Sequence, residues 1–339
     1  MGESMSVKNF IKNDKKFRDF IDKYIPDETQ INTISFYDND QVPLIPNKLE
    51  KNSFILGIAS EYLFIVAINK NVNENNQISF DDLNSDKGLM ILEKCCTNDK
   101  LLNDIKSRYS EIKTYLKWES FYSNLEINHD LSPSDIYSKD MLDEFKRLLK
   151  KELSLESNEY DFYFNLDDLC QYAIFCAHLE TIYKSGKIPV DLYTTFFEYD
   201  TEMIEELKEI LNLFINVFIF SIDDSADGGS IVNYNSEIIF HPKCKNLFYA
   251  FHGFEIDMIL DGNIVDFKSS EKIQKSDWAQ LLTYIIFWTF QNKKPFQGFI
   301  YLSRYGIIKQ IDPNYIISLW ENEDFINDFL EILKYLKLI

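Results

Sequence analysis

Arginine is almost missing from this chain. Arg18, Arg108, Arg147 and Arg304 are the only four in 339 residues, and 35 Lys+Arg stand against 55 Asp+Glu, a formal charge of −20. Proteins that hold nucleic acid by charge alone cluster basic side chains against phosphates, so this composition argues against such a binder. No run of eighteen apolar residues is free of charge, which excludes a simple transmembrane helix. The opening MGESMSVKNFIKNDKKF lacks the apolar stretch of a secretory signal, and a cytoplasmic protein is expected. The five cysteines (Cys95, Cys96, Cys170, Cys176, Cys244) show no Cys-x-x-Cys spacing and read as free thiols in a reducing compartment. The four histidines (His129, His178, His241, His252) form no His-x-x-x-His pair, and no nucleophilic serine motif accompanies them. His241 and His252 read best as hydrogen-bonded structural residues. No Gly-x-x-x-x-Gly-Lys-Ser/Thr loop is present, so no ATP chemistry is expected. Asp223-x-Ser225-x-Asp227-Gly228 begins like a calcium loop, but its twelfth position is Tyr234 instead of a bidentate glutamate.

What the chain does have is a folded-protein composition, 45% hydrophobic and 15% aromatic, and one informative stretch at 253–284. Asp261-Gly262 is a two-residue hairpin signal between the alternating runs Glu255–Leu260 and Asn263–Ser269. That turn pairs Leu260 with Asn263. Counting back sets Asp257 opposite Asp266 and Glu255 opposite Lys268, all on one face, with Ile256, Met258, Leu260, Val265 and Phe267 on the other. Facing aspartates repel, so they call for a cation, either Lys268 or a metal ion. A helix follows, with Gln280 and Tyr284 one turn apart on a shared face.

These residues resemble the PD-(D/E)XK nuclease superfamily in its RecB-like branch. The matching pattern is Asp257, then Asp266-Phe267-Lys268, then Gln280-x-x-x-Tyr284, with Glu61 following Gly57 in Phe54–Phe64 as the acidic residue of an early helix. It is similar in particular to a prokaryotic group with a long helical insertion between that helix and the hairpin. The motifs cover about residues 52–69 and 236–310. The resemblance implies an α/β, restriction-endonuclease-like core, a mixed central sheet flanked by helices. It implies Mg²⁺ or Mn²⁺ held by Glu61, Asp257, Asp266 and the Phe267 carbonyl, hard oxygen donors suited to hard cations. Lys268 would orient the attacking water or stabilise transition-state charge, and Gln280 and Tyr284 would position water or substrate. The implied reaction is metal-dependent hydrolysis of phosphodiester bonds, most simply in DNA, in phage defence or repair. Some relatives carry an iron–sulfur cluster whose last cysteine follows the Gln-x-x-x-Tyr helix. No cysteine follows Tyr284 here, so none is expected.

The charge is unevenly spread. Residues 243–310 hold nine Lys+Arg and six Asp+Glu, against the acidic remainder. Lys272 and Lys275 follow the second strand, and Lys293 and Lys294 follow the helix, marking a candidate phosphate-contacting edge. Residues 1–51 read as an amphipathic helix over 6–25 and an irregular lead-in with Pro26, Pro43 and Pro46. Residues 52–69 and 230–339 form the expected core, and 70–229 the helical insertion, helical from about Asp86 to Phe218 by apolar periodicity. Ser132-Pro133-Ser134-Asp135 and Asn165–Asp168 read as helix starts, Ser185-Gly186 as a stop. Strands are expected at Glu237–His241, Gln297–Leu302 and Gly306–Ile311, and a final helix from Pro313. Two other functions stay open: an idle nucleic-acid-binding core within a larger complex, and an interaction module whose acidic helices meet a basic partner protein.

Overall fold

The computed structural model describes residues 7–35, 44–45, 53–69, 71–72, 84–121 (backbone only from 114), 166–198, 200–219, 231–232, 235–242, 255–270, 272–293 and 296–339. The start expected at Ser132, the acidic loop from Asp223, and Lys294, His129, His252 and Cys244 lie outside these residues.

A six-stranded mixed sheet divides two helical layers. In chain order its strands are β1 (Ile31–Ser35), β2 (Ile238–Phe240), β3 (Met258–Leu260), β4 (Asn263–Lys268), β5 (Gln297–Leu302) and β6 (Ile307–Ile311). They lie side by side as β1-β6-β5-β4-β3-β2, with β4 and β5 parallel and every other pair antiparallel. The parallel pair requires a crossover, supplied by the helix Lys275–Asn292. The Asp-Gly hairpin forms as expected: Asp261 (φ 48°) and Gly262 (φ 81°) are both left-handed, as a two-residue primed turn demands, and Leu260 pairs with Asn263. Asp261 also ties the hairpin to β2, its carboxylate accepting from Ser236 Oγ (2.9 Å) and from the Glu237 N–H (2.8 Å).

The helices are α1 (Val7–Asn13), α2 (Lys15–Lys23), α3 (Ser53–Asn69), α4 (Asn84–Cys95), α5 (Asp99–Phe121), α6 (Leu166–Ser185), α7 (Leu192–Phe197), α8 (Thr201–Phe214, continued by a π turn over Ile215–Ile219), α9 (Lys275–Asn292), α10 (Pro313–Glu321) and α11 (Glu323–Tyr335). Three sequence expectations are corrected. The single helix over 6–25 is two, because Asp14 leaves the helical path and caps α2, its carboxylate accepting from the Phe17 N–H at 2.9 Å. The lead-in is not wholly irregular: β1 adds an edge strand against β6, although its burial shows no core-facing alternation to betray it. The terminal helix is likewise two, broken at Asn322, whose side chain caps α11.

Each face of the sheet buries its own core, the usual three-layer solution for a sheet apolar on both sides. On one face Met258, Leu260, Val265, Phe267, Phe299, Tyr301 and Ile308 pack against α3 and the helices from α4 to α8. On the other Ile259, Ile264, Ile300, Leu302, Ile307 and Ile311 pack against α1, α2, α9, α10 and α11. The helical stretch between α3 and β2 therefore shares one continuous core with the sheet. Almost entirely apolar, α3 is buried around most of its circumference. Its Phe64 stacks on Phe214 of α8 (4.0 Å) and tilts against Phe267 of β4 (5.1 Å). No described helix is long and apolar enough to cross a membrane.

His178 on α6 lies edge-on to Phe196 of α7, and burial holds its imidazole pKa down to about 4. The unfolded value is about 6.5, so the unfolded chain takes up a proton that the fold refuses. His178 thus contributes stability that is complete above pH 6.5 and is lost as pH falls toward 4, by roughly 1–3 kcal/mol. Urea midpoints of His178→Gln and the parent at pH 7.5 and pH 4.5 check this. The acid-induced drop should be smaller in the variant, and an equal drop would remove His178 from the account.

Candidate active site

The site forms where the hairpin, α3 and α9 meet. Asp266 and Lys268 lie on β4, one strand period apart on the same face, and Lys268 Nζ sits 2.5 Å from Asp266 Oδ2. Asp257 precedes β3, and its carboxylate accepts the Phe267 N–H at 2.8 Å. Phe267, expected as a carbonyl donor, thus joins the site visibly through its N–H. Gln280 and Tyr284 of α9 face each other, Gln280 Nε2 donating to Tyr284 Oη at 2.6 Å, and the charges of Asp257 and Asp266 reach Tyr284.

One expectation fails in an instructive way. Strict alternation would put Glu255 beside Lys268 and Ile256 among the Met258-side core residues. The registered ladder stops at Met258–Val265, because Asp257 sits in a bend. Residues 256 and 257 bond instead to the chain beyond β2: His241 N–H to Asp257 O (3.1 Å) and Ile256 N–H to Pro242 O (3.4 Å). The bend reverses the parity of the side chains before it. Ile256 joins the α9-side core, and Glu255 turns toward the other layer, where Asn84 Nδ2 donates to its Oε2 at 2.9 Å.

Glu61 is brought to the site on α3. Its neighbour in space is His241, whose Nε2 donates to Glu61 Oε2 at 3.3 Å, while Asp257 adds a like charge. Gly57, one turn earlier, lets α3 approach the end of β4, for a Cβ there would lie 3.0 Å from Ser269 Oγ. Behind this, Arg304 is wholly buried. It pairs with Glu206 of α8 and donates through Nε to Ser269 O at 2.6 Å. One of the chain's four arginines is therefore spent on bracing the strand end and is not offered to a ligand.

A second polar group, not foreseen from the sequence, adjoins Glu61. Glu180 of α6 is 0% exposed. It accepts from Tyr62 Oη (2.8 Å) and more distantly from Asn84 Nδ2 (3.4 Å), and it pairs with Lys184 Nζ at 2.6 Å. Tyr62 is the residue after Glu61, and Asn84 also holds Glu255. His241, Glu180, Lys184 and Asn84 thus enter the site from elements that carry no motif. The sequence signals were a histidine in the strand region at 241 and a glutamate and a lysine one turn apart near the end of α6.

Of the lysines expected to contact phosphate, Lys272, Lys275 and Lys293 are described, and they stand at opposite ends of α9. Lys275 opens α9 and pairs with Asp22 at 2.9 Å, and the Lys272 carbonyl accepts from Ser270 Oγ. Lys293 ends α9 in a left-handed conformation, about 20 Å of helix beyond Gln280.

Electrostatically the site holds more negative than positive charge. The carboxylates of Glu61, Glu180, Glu255, Asp257 and Asp266 face Lys184, Lys268 and His241. Burial opposes charge on His241, but Glu255, the hydrogen-bonded Glu61 and Glu180 outweigh it and raise its pKa to about 9. Burial, with the charge of Asp257, raises Glu61. Burial raises Asp266 to about 7, against the pull of Lys268. Glu180 instead is held below its ordinary value: burial opposes its charge, but Lys184 and His241 outweigh that.

A divalent cation fits this donor set. Among the described residues, neither Asp266 oxygen has a hydrogen-bond donor apart from the ion pair with Lys268, nor has the buried Gln280 Oε1. Hard acceptors thus remain open beside uncompensated negative charge. Among the described residues no three acidic, imidazole or thiol groups close on a single point. No family model matches the chain, and no curated protein or solved structure does.

Proposed function

We propose that the protein is a metal-dependent nuclease of the PD-(D/E)XK type that hydrolyses phosphodiester bonds in DNA. The observation that carries this reading is Asp257 and Asp266 brought together with Lys268 at the end of one hairpin, under Gln280 and Tyr284, with Glu61 alongside. The mixed sheet with helices on both faces, and a helix crossing between parallel β4 and β5, supports the restriction-endonuclease-like core that the motif resemblance implies.

Asp257 and Asp266 would hold Mg²⁺ or Mn²⁺, with Glu61 reaching the ion through a water. When bound, such an ion lowers the pKa of its water and neutralises the phosphate under attack. The chain's own groups supply the rest. Lys268, held at Asp266, is aimed by its partner and can orient a water or meet charge growing on the phosphate oxygens. The Phe267 N–H fixes the rotamer of Asp257. Tyr284 orients the Gln280 amide, whose free Oε1 can accept from a water. Asp266, with a pKa near 7, must lose its proton to serve as a ligand, so cation binding and turnover strengthen as pH rises through 7.

Linear and circular DNA, single- and double-stranded, incubated with Mg²⁺ or Mn²⁺ tests the reading. Cutting should require the ion, rise between pH 6 and 8, and fall by about 10²–10³ in Lys268→Ala. A folded wild-type protein that cuts none of these substrates, or a Lys268→Ala variant that cuts equally, sinks it.

A further inference from the structure

We propose that His241 is a positioning residue for the metal site. It bonds through its backbone to Asp257 and through its ring to Glu61, and so fixes the Glu61 carboxylate where a water of the bound cation would meet it. The inference rests on the nuclease reading and deepens it. It names what keeps an acidic residue of α3 in register with the aspartates of the hairpin, from a position 180 residues away in sequence.

Glu61 and Asp257 come from separate elements, and their like charges oppose one another. Among the described residues the hydrogen bond to the Glu61 carboxylate comes from His241, Nε2 to Oε2 at 3.3 Å, while Lys184 adds charge but is itself held by Glu180. The His241 N–H donates to Asp257 O at 3.1 Å, and the Asp257 carboxylate in turn accepts the Phe267 N–H. One residue thus ties α3 to the hairpin. With Oε2 engaged, Oε1 is the Glu61 oxygen left to accept from a water.

The backbone at 241 is bent to this purpose. His241 directly follows β2 and has a φ of 45°, a left-handed conformation that glycine adopts without cost and a residue with a Cβ does not. Such a conformation persists where the surroundings over-determine it, and it gathers at functional sites. Here the reversal keeps the N–H on Asp257 while the ring reaches α3. The ring also has a fixed seat. It tilts against Phe240 (5.3 Å), which stacks on Phe267 of β4 (6.3 Å).

Calorimetric titration of the full chain with Mn²⁺, in the absence of DNA, tests this in a double-mutant cycle of His241→Asn and Glu61→Gln. Asparagine tolerates the left-handed backbone, but its amide is too short to reach Glu61. Glutamine carries an amide nitrogen at about the reach of Nε2. His241→Asn should weaken Mn²⁺ binding by about tenfold, the low end for a residue that orients a metal-site partner. It should lower kcat on a DNA duplex and leave KM nearly unchanged. His241→Gln should recover most of the affinity. In the Glu61→Gln background His241→Asn should cost nothing further, because its route to the cation runs through Glu61. Additive losses overturn the inference, since a merely structural role produces them. So does wild-type Mn²⁺ affinity in His241→Asn, or a His241→Gln variant as weak as His241→Asn. The His241→Gln result decides the matter even where His241→Asn unfolds. Each of these outcomes leaves the nuclease reading intact as long as the wild type cuts DNA. A wild type that shows the full Mn²⁺ cycle but cuts no DNA removes the nuclease reading and keeps the role of His241, and one that binds no Mn²⁺ removes both.

Discussion

Asp266→Asn should abolish cleavage and at the same time raise the melting temperature of the metal-free protein. Ordinary core replacements do the reverse, destabilising by about 0.5–3 kcal/mol. Asp266 is 0% exposed, has among the described residues no hydrogen-bond donor beyond its ion pair with Lys268, and lies near the charge of Asp257. Its folded pKa of about 7 stands above the unfolded value of about 3.9. The fold therefore holds the proton more tightly than the unfolded chain does. The linked stability is full below pH 4 and is lost as pH rises to 7. At pH 8 the wild type keeps a buried charge it would better be without. A neutral amide of the same shape removes that penalty. Lys268 keeps Asp257 as a neighbouring anion, so the ammonium is not stranded.

The expected gain is about 1–2 kcal/mol: a tenfold shift of a carboxylate toward its protonated form is worth about 1.4 kcal/mol, and part of the relief is given back because Lys268 loses one partner of a buried ion pair. Cleavage should fall by about 10³ or more, the order lost when a group that stabilises transition-state charge is removed. Melting curves with and without Mn²⁺ separate this from a generic effect. A cation at 100 times its Kd stabilises the wild type by about 2.7 kcal/mol, and the variant should not respond. A lower melting temperature in Asp266→Asn, or equal Mn²⁺ shifts in both proteins, would contradict the assignment. A stabilising change at the residue most needed for activity is the mark of a site held against its own folding preference.

The motif residues were legible because local chemistry dictates them. An Asp-Gly turn sets its own register, alternation assigns the β4 faces, and helical spacing joins Gln280 to Tyr284. Asp257 bonds the Phe267 N–H, Lys268 pairs with Asp266, Gln280 bonds Tyr284, and the charge of Asp257 reaches both Tyr284 and Glu61. What could not be read was anything decided by a partner distant in the chain. The bend at Asp257 depends on carbonyls and N–H groups at 241–242, so strict alternation assigned Glu255 and Ile256 to the wrong sides. An edge strand such as β1 is specified by the open edge of β6 more than by its own sequence, since its burial does not alternate. Asn84, Glu180 and Lys184 sit on helices whose apolar faces announce only packing. Their meeting with Glu255 and Glu61 joins segments far apart in sequence, 171 residues in the case of Asn84 and Glu255. Lys272 and Lys275 stand at one end of α9 and Lys293 at the other, a separation that nearness to the motif in sequence does not reveal.

Gly88→Ala should be the most destabilising conservative change in the described part of the helical stretch. α4 and α6 cross backbone to backbone at this residue. A Cβ at 88 would lie 1.8 Å from the Leu179 carbonyl oxygen and 2.4 Å from its carbon. No rotamer change relieves a clash with a carbonyl inside a helix, so the two helices must separate. Overpacking against flexible side chains costs about 1–3 kcal/mol, and a backbone obstacle should exceed the upper figure. Gly298→Ala is the natural control. Its Cβ meets Ile285 Cδ1 at 2.7 Å, and Leu281 Cδ1 at 2.9 Å, side-chain tips that can yield. Urea unfolding should therefore place Gly88→Ala well below Gly298→Ala, and equal midpoints would refute the close crossing. The consequence for function follows from geometry. Asn84 lies one turn before Gly88 on α4, and Glu180 lies one residue after Leu179 on α6, so separating the helices draws Asn84 away from Glu180 and Glu255. At a temperature where Gly88→Ala is still folded, Mn²⁺ binding should persist, because the aspartates stand on the hairpin and not on the two helices being forced apart.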